Sequence, residues 1–197
     1  MPILSPMSEL EAVNEMLMSI GQAPVNSLNV SGIKDVSIAQ ARLATATRRV
    51  LSHGFAFNTD TNYPLAPDID GHIMVPANAL KVESMGIDEL VIRKHPTKGL
   101  ALYSKDTRSF EFDASVSVKI VWAFSFEELP ETARTYIATS AARRFQSKAI
   151  GSQVLDRFEE EDELRAWLLL EREERGARKT NLFRNNPALA GFGSRTH

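Results

Sequence analysis

Apolar residues near the start of the chain recur at the helical spacing. Leu10, Val13, Leu17 and Ile20 fall three or four positions apart, which predicts one buried face on a helix over about Ser8 to Ile20. Ser8 suits its N-cap, and Glu11 three residues later completes a capping box. Gly21 supplies the left-handed stop, and Pro24 prevents an immediate restart. A second stripe of Ala39, Leu43, Ala46 and Val50 predicts a helix from about Asp35 to Ser52, with an acid at its positive end and Gly54 beyond its last turn.

From Phe55 to Phe126 the period changes. Pro64, Pro67, Pro76 and Pro96 preclude long helices, and β-branched and aromatic residues become frequent. Leu90-Val91-Ile92 and Leu100-Ala101-Leu102-Tyr103 flank His95-Pro96-Thr97-Lys98-Gly99, which reads as a hairpin with a five-residue loop. Phe110-Glu111-Phe112 and the run Val116 to Trp122 alternate with period two, as half-buried strands do. The segment predicts a small, mostly antiparallel sheet inserted between helices.

Helical spacing then returns. Pro130 fits the first turn of a third helix, with Ala133, Ile137 and Ala141 down one face, Ala138 and Ala142 beside them, and Phe145 at the end. Gly151 interrupts. A fourth helix is predicted from Gln153 to Arg175, with Val154, Phe158, Leu164, Leu168 and Leu169 on a broad core face that also carries Glu161 and Arg165. Trp167 and Leu170 lie on its other side. A helix with charges in its apolar stripe and a Trp off it implies either an overlong exposed helix or a second face covered by another subunit. After Gly176, the last 21 residues hold no acid and four basic residues, Arg178, Lys179, Arg184 and Arg195, with scattered Leu and Phe. That segment is expected to be an extended arm that orders against another protein, the alternative being a solvated terminus. The fold class expected is thus α+β: a bundle of about four helices, an inserted small sheet and an extended C-terminal tail. The helical domain would comprise residues 1–56 and 127–176, the sheet domain 57–126, and the arm 177–197.

Composition mainly removes possibilities. At 197 residues and 43% hydrophobic, the chain needs no staple to bury a core, and without cysteine it has no disulfide framework, thiol nucleophile or zinc-thiolate site. A net charge of −2 provides no basic field for nucleic acid, which disfavours a DNA-binding regulator. No apolar run approaches the ~20 residues of a membrane helix, and MPILSPMSELE does not read as a signal peptide.

Candidate chemistry is sparse. His53, His72, His95 and His197 form no i,i+4 pair and have no carboxylate at metal-ligand spacing. His53 lies where a helix C-terminus favours a cation, so capping is its expected role. Asp68-Ile69-Asp70-Gly71 resembles part of a calcium loop, but in that register the first and twelfth ligand positions are Ala66 and Ala77, so a turn is expected instead. Gly191-Phe192-Gly193 lacks the third glycine of a nucleotide site. Glu127-Glu128 and the run Glu159 to Glu163 sit in highly charged helical contexts and read as solvated faces. No catalytic residue, metal site or cofactor is predicted. The alternative to a non-enzymatic role is a polysaccharide or peptidoglycan hydrolase using carboxylates distant in sequence.

Four stretches carry a resemblance: Ser8 to Leu28 with its SIGQAPV, RRVLSHGFAFN, LALYSKDT, and above all FEELPETARTYIATSAARRFQ. In order, and across about residues 8 to 175, they resemble the tail tubular protein A family of short-tailed bacteriophages. The chain departs from the family where an acid often follows the Leu-Tyr pair: Ser104 stands there, with Asp106 two residues on. The resemblance implies a structural virion protein in the tail, made in the host cytoplasm. It implies a twelve-fold head-to-tail adaptor ring between the portal protein and the nozzle (tail tubular protein B), with a tail fibre docking nearby. DNA would pass through the lumen on ejection without specific binding, and no membrane binding is implied. Within that reading, the candidate subunit-interface residues are Ala138, Ala142, Glu161, Arg165, Trp167 and Leu170. By analogy with portal adaptors, Arg178, Lys179, Leu182, Phe183, Arg184 and Phe192 would grip the portal. The acidic run 159–163 would line either the lumen or a subunit contact.

Overall fold

A computed structural model describes residues 5–29, 33–86, 89–149 and 153–185. The chain divides into two compact units, Met1–Arg49 with Ser125–His197, and Val50–Phe124. The first is helical. Helix α1 (Glu9–Ser19) starts at Ser8, whose hydroxyl accepts the Glu11 N–H at 3.2 Å while the Glu11 carboxylate accepts the Ser8 N–H at 2.7 Å. This is the expected capping box, and it holds the Glu11 carboxyl below its ordinary range. Asn14 clamps the loop that follows, donating to the Val25 carbonyl and accepting the Val25 N–H at 2.9 and 2.8 Å.

Helix α2 spans Lys34–Leu51, and all four members of its expected stripe, Ala39, Leu43, Ala46 and Val50, are buried. Helix α3 (Glu131–Ala149) follows Pro130 and packs against both α1 and the long helix α4 (Gln153–Asn185). Its Ala133, Ile137, Ala138, Ala141 and Phe145 are buried. The start of α3 is pinned by Arg134, which donates to the carbonyls of Leu129 (2.7 Å), Met7 (2.8 Å) and Glu127. Arg49 donates to the buried Ser140 hydroxyl at 2.6 Å, tying α2 to α3.

The second unit holds two antiparallel sheets where one was expected. Strands β1 (Thr59–Leu65) and β2 (Ala79–Ser84) flank β5 (Val116–Trp122), and β3 (Leu90–His95) pairs with β4 (Gly99–Ser104). The β3–β4 register runs from Leu90↔Ser104 to His95↔Gly99, so the turn is Pro96-Thr97-Lys98, shorter than the five residues expected. Phe110 to Phe112 do not form a strand. Around them are only isolated bridges, Ser104↔Ser109 and His72↔Glu111. Leu65, Ile73, Leu102, Val118 and Ile120 form the core, with Leu90, Ile92, Phe112 and Trp122 packed around it. A buried asparagine closes the unit's entry: Asn58 accepts the Phe55 N–H at 2.8 Å and donates to the carbonyls of Leu51 and Trp122 at 2.9 and 2.8 Å. Gly54 just before it has φ +79°, and a Cβ there would stand 3.2 Å from Val121.

The α+β class stands, with four helices and small antiparallel sheets. The expected end of the fourth helix does not. Helix α4 runs through Gly176 to Asn185, so residues 177–185 are helical where an extended arm was expected. The pair of Arg178 with Glu174 spans the glycine and that of Arg175 with Glu171 precedes it, both at 2.6 Å. Glycine in a helix interior costs about 1 kcal/mol, which such pairs and good helix formers on either side offset. The remainder of the expected arm, residues 186–197, lies outside the described residues.

Candidate functional site

The features that could carry function are the long helix, with the flank of α3 beneath it, and a polar cluster in the sheet unit. Helix α4 is about 50 Å long, and among its described side chains, 160–178, it buries only a narrow side. Ala166 and Leu170 are buried, Trp167 is half-buried with its ring 5.1 Å from that of Tyr136, and Glu163 meets Arg143 at 3.1 Å. Glu173 accepts a hydrogen bond from Thr132. These residues repeat every three or four positions and lie along one flank of α3. Burial, followed by the nearby Glu163 carboxylate, raises the Tyr136 hydroxyl above its ordinary range.

The expected assignment of faces is therefore reversed. Leu164, Leu168 and Leu169, expected in the core, are 56, 51 and 57% exposed. Trp167 and Leu170, expected to point away from it, pack inward, with Leu170 only 2% exposed. The reason is the partner. The flank of α3 that α4 meets presents Thr132, Tyr136 and Arg143, a mixed surface suited to Trp167, Glu163 and Glu173 and not to a run of leucines. The side chains of Val154 and Phe158 lie outside the described residues.

Of the six residues expected at a subunit contact, Ala138 and Leu170 are buried within the helical unit. Ala142 and Trp167 are half-buried. Glu161 and Arg165 are exposed and paired at 3.2 Å, and Arg165 also reaches Asp162 at 3.1 Å. Glu160 joins Arg143 at 3.5 Å. Tyr136, Arg143, Glu160, Glu163, Leu164 and Trp167 together line a shallow recess of about 300 Å³. Leu164 is its rim, and Leu168, one turn on, continues the apolar edge. Sequence reasoning missed that Leu164, Leu168 and Leu169 are the outward face; their i,i+4 and i,i+5 spacing gave a stripe but not its direction. Of the residues expected to grip a portal, Arg178 is exposed and paired with Glu174. Lys179, Leu182, Phe183 and Arg184 fall in the last turns of α4, where side chains are outside the described residues, and Phe192 lies beyond them.

The polar cluster is a turn, as expected. Asp68 Oδ1 accepts the N–H groups of Asp70 and His72 at 3.0 and 2.9 Å, and Gly71 adopts φ +80°. Asp68, Asp70 and His72 bring potential metal-ligand atoms within 4.8 Å of one another, but the Lys98 ammonium already bridges the two carboxylates, at 2.8 Å from Asp68. That hydrogen bond, with the His72 N–H, depresses Asp68 to about 2, and the Asp68 and Asp70 carboxylates raise Lys98. The lysine supplies the positive charge such a cluster needs. Asp106, two residues beyond Ser104, accepts the Glu89 N–H at 2.9 Å and so braces the β3–β4 hairpin. Glu128 accepts hydrogen bonds from the Ser125 N–H and hydroxyl, both at 2.7 Å, which makes it a capping group.

Comparison with known proteins agrees with the structural character of these features. The family model described as tail tubular protein matches residues 10–180. The chain is 36% identical over 132 residues to Tail tubular protein A of Klebsiella phage KP34, an alignment covering 67% of this chain and 68% of that protein.

Proposed function

Because the chain belongs to the tail tubular protein family, structural components of the phage tail and not enzymes, we propose that it forms the head-to-tail adaptor ring of a short-tailed phage. About twelve copies, joined by heterologous contacts that close on themselves, would sit between portal and nozzle and enclose part of the DNA ejection channel. The chain is made in the host cytoplasm and acts in the virion tail. The far end of α4 and the residues beyond it, including Arg178, Lys179, Leu182, Phe183, Arg184 and Phe192, grip the portal. The sheet unit faces the nozzle and the tail fibre.

The observation that carries this reading is the outward face of α4. Three half-exposed leucines on one helix form an apolar surface that a solitary protomer leaves in water. Covering each would contribute about 1 kcal/mol, and repetition around a ring makes that sum substantial. The net charge of −2 suits a conduit, since every phosphate neutralised by Lys or Arg would add salt-dependent affinity and slow the DNA. Light scattering on the purified chain, alone and mixed with its phage's portal, tests the proposal. A closed species of about a dozen copies is expected. A monomer under both conditions, with no retention on immobilised portal or nozzle, would refute it.

A further inference from the structure

We infer that the subunit contact of this ring pairs two unlike helix surfaces: the leucine edge of α4 on one copy and the outer face of α2 on the next. The inference rests on the ring reading and names the patches that reading requires. A contact that propagates around a ring needs two different surfaces on one protomer, each complementary to the other. The leucine edge is the first. Leu164 and Leu168 stand one turn apart, with Trp167 and Tyr136 forming the recess behind Leu164.

The second is the solvent side of α2, opposite its buried stripe. Lys34, Ser37, Ile38, Ala41, Arg42 and Thr45 line a shallow groove there. Ser37, Ala41 and Thr45 follow one another at four-residue intervals, and the Thr45 hydroxyl is turned back onto the Ala41 carbonyl at 2.7 Å. The row is therefore low and uncharged, so a neighbouring helix can approach to about 8 Å with leucines seated between small side chains.

Charge sets the partner. Helix α2 carries Lys34, Arg42, Arg48 and Arg49 against one acid, Asp35. Among the described residues, Lys34 and Arg42 at the groove meet no carboxylate. Helix α4 presents the opposite sign just ahead of Leu164, while Arg165 and Arg172 stand among the leucines themselves. Glu160, Glu161 and Asp162 are exposed, and with Glu163 these four acids share only Arg143 and Arg165. An α4–α4 contact fits less well. In parallel it sets the acidic run against itself, and antiparallel it closes at two copies and leaves the basic groove open.

The absence of cysteine from the chain makes the test clean. Ala41→Cys and Leu168→Cys, both at exposed positions, are prepared as separate variants, and oxidised alone and as an equimolar mixture. The mixture should give disulfide dimers in about ten-fold excess over either variant alone, and the double variant should give a ladder rising to the ring. Arg42→Glu should lower that yield about ten-fold, and adding Glu161→Lys should recover most of it, because reversal of one rim charge sets like charges together. Dimers from Leu168→Cys alone would establish an α4–α4 contact and overturn the inference. Assembly of normal size without the mixed cross-link would also overturn it, while leaving the ring intact. A chain that stays monomeric at every concentration and beside its portal would remove both the inference and the ring.

Discussion

Leu168 and Leu170 sit two positions apart on α4, yet the structure assigns them opposite energetic roles. Leu170 is 2% exposed and packs toward α3, so Leu170→Ala removes buried methyl groups and leaves a cavity. A cost of about 3 kcal/mol is expected, within the range for buried Leu→Ala changes. For a chain of this length each kcal/mol moves the melting temperature by about 2–4 °C, so the helical unit should melt about 6–12 °C lower. Leu168 is half exposed, and Leu168→Ala removes little that is buried while placing a better helix former on the surface. Its cost should stay under about 1 kcal/mol. The two variants should separate again in assembly. Leu168→Ala should reduce the ring population at a concentration where the parent assembles, and Leu170→Ala should not, provided it is measured well below its own melting point. Circular dichroism melts at a concentration low enough to keep the chain monomeric read the first effect, since self-association would raise the apparent stability. Sedimentation at higher concentration reads the second. Equal destabilisation by both substitutions would mean that α4 is rotated from the orientation described above, and the leucine surface would vanish with it.

Asn58→Ala should destabilise the sheet unit by about 3 kcal/mol, because it strands the Phe55 N–H and the Leu51 and Trp122 carbonyls; urea denaturation followed by Trp122 fluorescence measures it, and a loss under about 1 kcal/mol would contradict the hydrogen bonding. Gly176→Ala should stabilise α4 by about 0.5–1 kcal/mol, since no neighbouring atom lies within 4 Å of the added Cβ and the glycine is not in the left-handed region; a destabilised variant would mean that the helix ends there, as the sequence alone predicts. The Asp68 carboxyl titrates near 2 in the folded chain against 3.8 ordinarily, so the folded state binds fewer protons and stability from this group is present above about pH 4. That contribution declines as pH falls toward 2, so Asp68→Asn should flatten the acid limb of the melting curve; an unchanged dependence between pH 5 and 2.5 would exclude the Lys98 bridge as its source.

The elements legible in the sequence are those whose own chemistry fixes them. Ser8 and Glu11 satisfy the first N–H groups of α1 without help from the rest of the molecule, and the α2 stripe points inward because its other side is polar. Strand β5 alternates because one of its faces, with Val116, Val118, Ile120 and Trp122, lies on the unit's core. By contrast, β1 reads Thr-Asp-Thr-Asn-Tyr-Pro-Leu, and only Leu65 is buried. An edge strand exposed along most of its length needs no apolar alternation, and Asn62 at φ +58° breaks its register. Its pairing with β5 comes from long-range contact, to which a local period is blind. Gly176 is a similar case: the residue type suggests a stop, but the helix continues, with the Glu171–Arg175 pair before the glycine and the Glu174–Arg178 pair spanning it.

Helix α4 shows why the candidate surface was harder to place. A hydrophobic period identifies the richest apolar face of a helix and is silent on which neighbour covers it. Here α3 presents an aromatic, a threonine and an arginine, and the α4 side that satisfies them contains Glu163, Ala166, Trp167, Leu170 and Glu173. The leucine face is left over, since the same helix cannot turn both sides to α3. In a protein that functioned as a single copy, that arrangement would carry a standing cost in exposed apolar surface and a tendency to aggregate nonspecifically. The charges that interrupt the face, Glu161 and Arg165, limit nonspecific contact and make register part of recognition, because a partner must match their signs as well as cover the leucines. In the proposed ring, a helix divided in this way would belong to two interfaces, one completed in the folding of the protomer and one left for assembly.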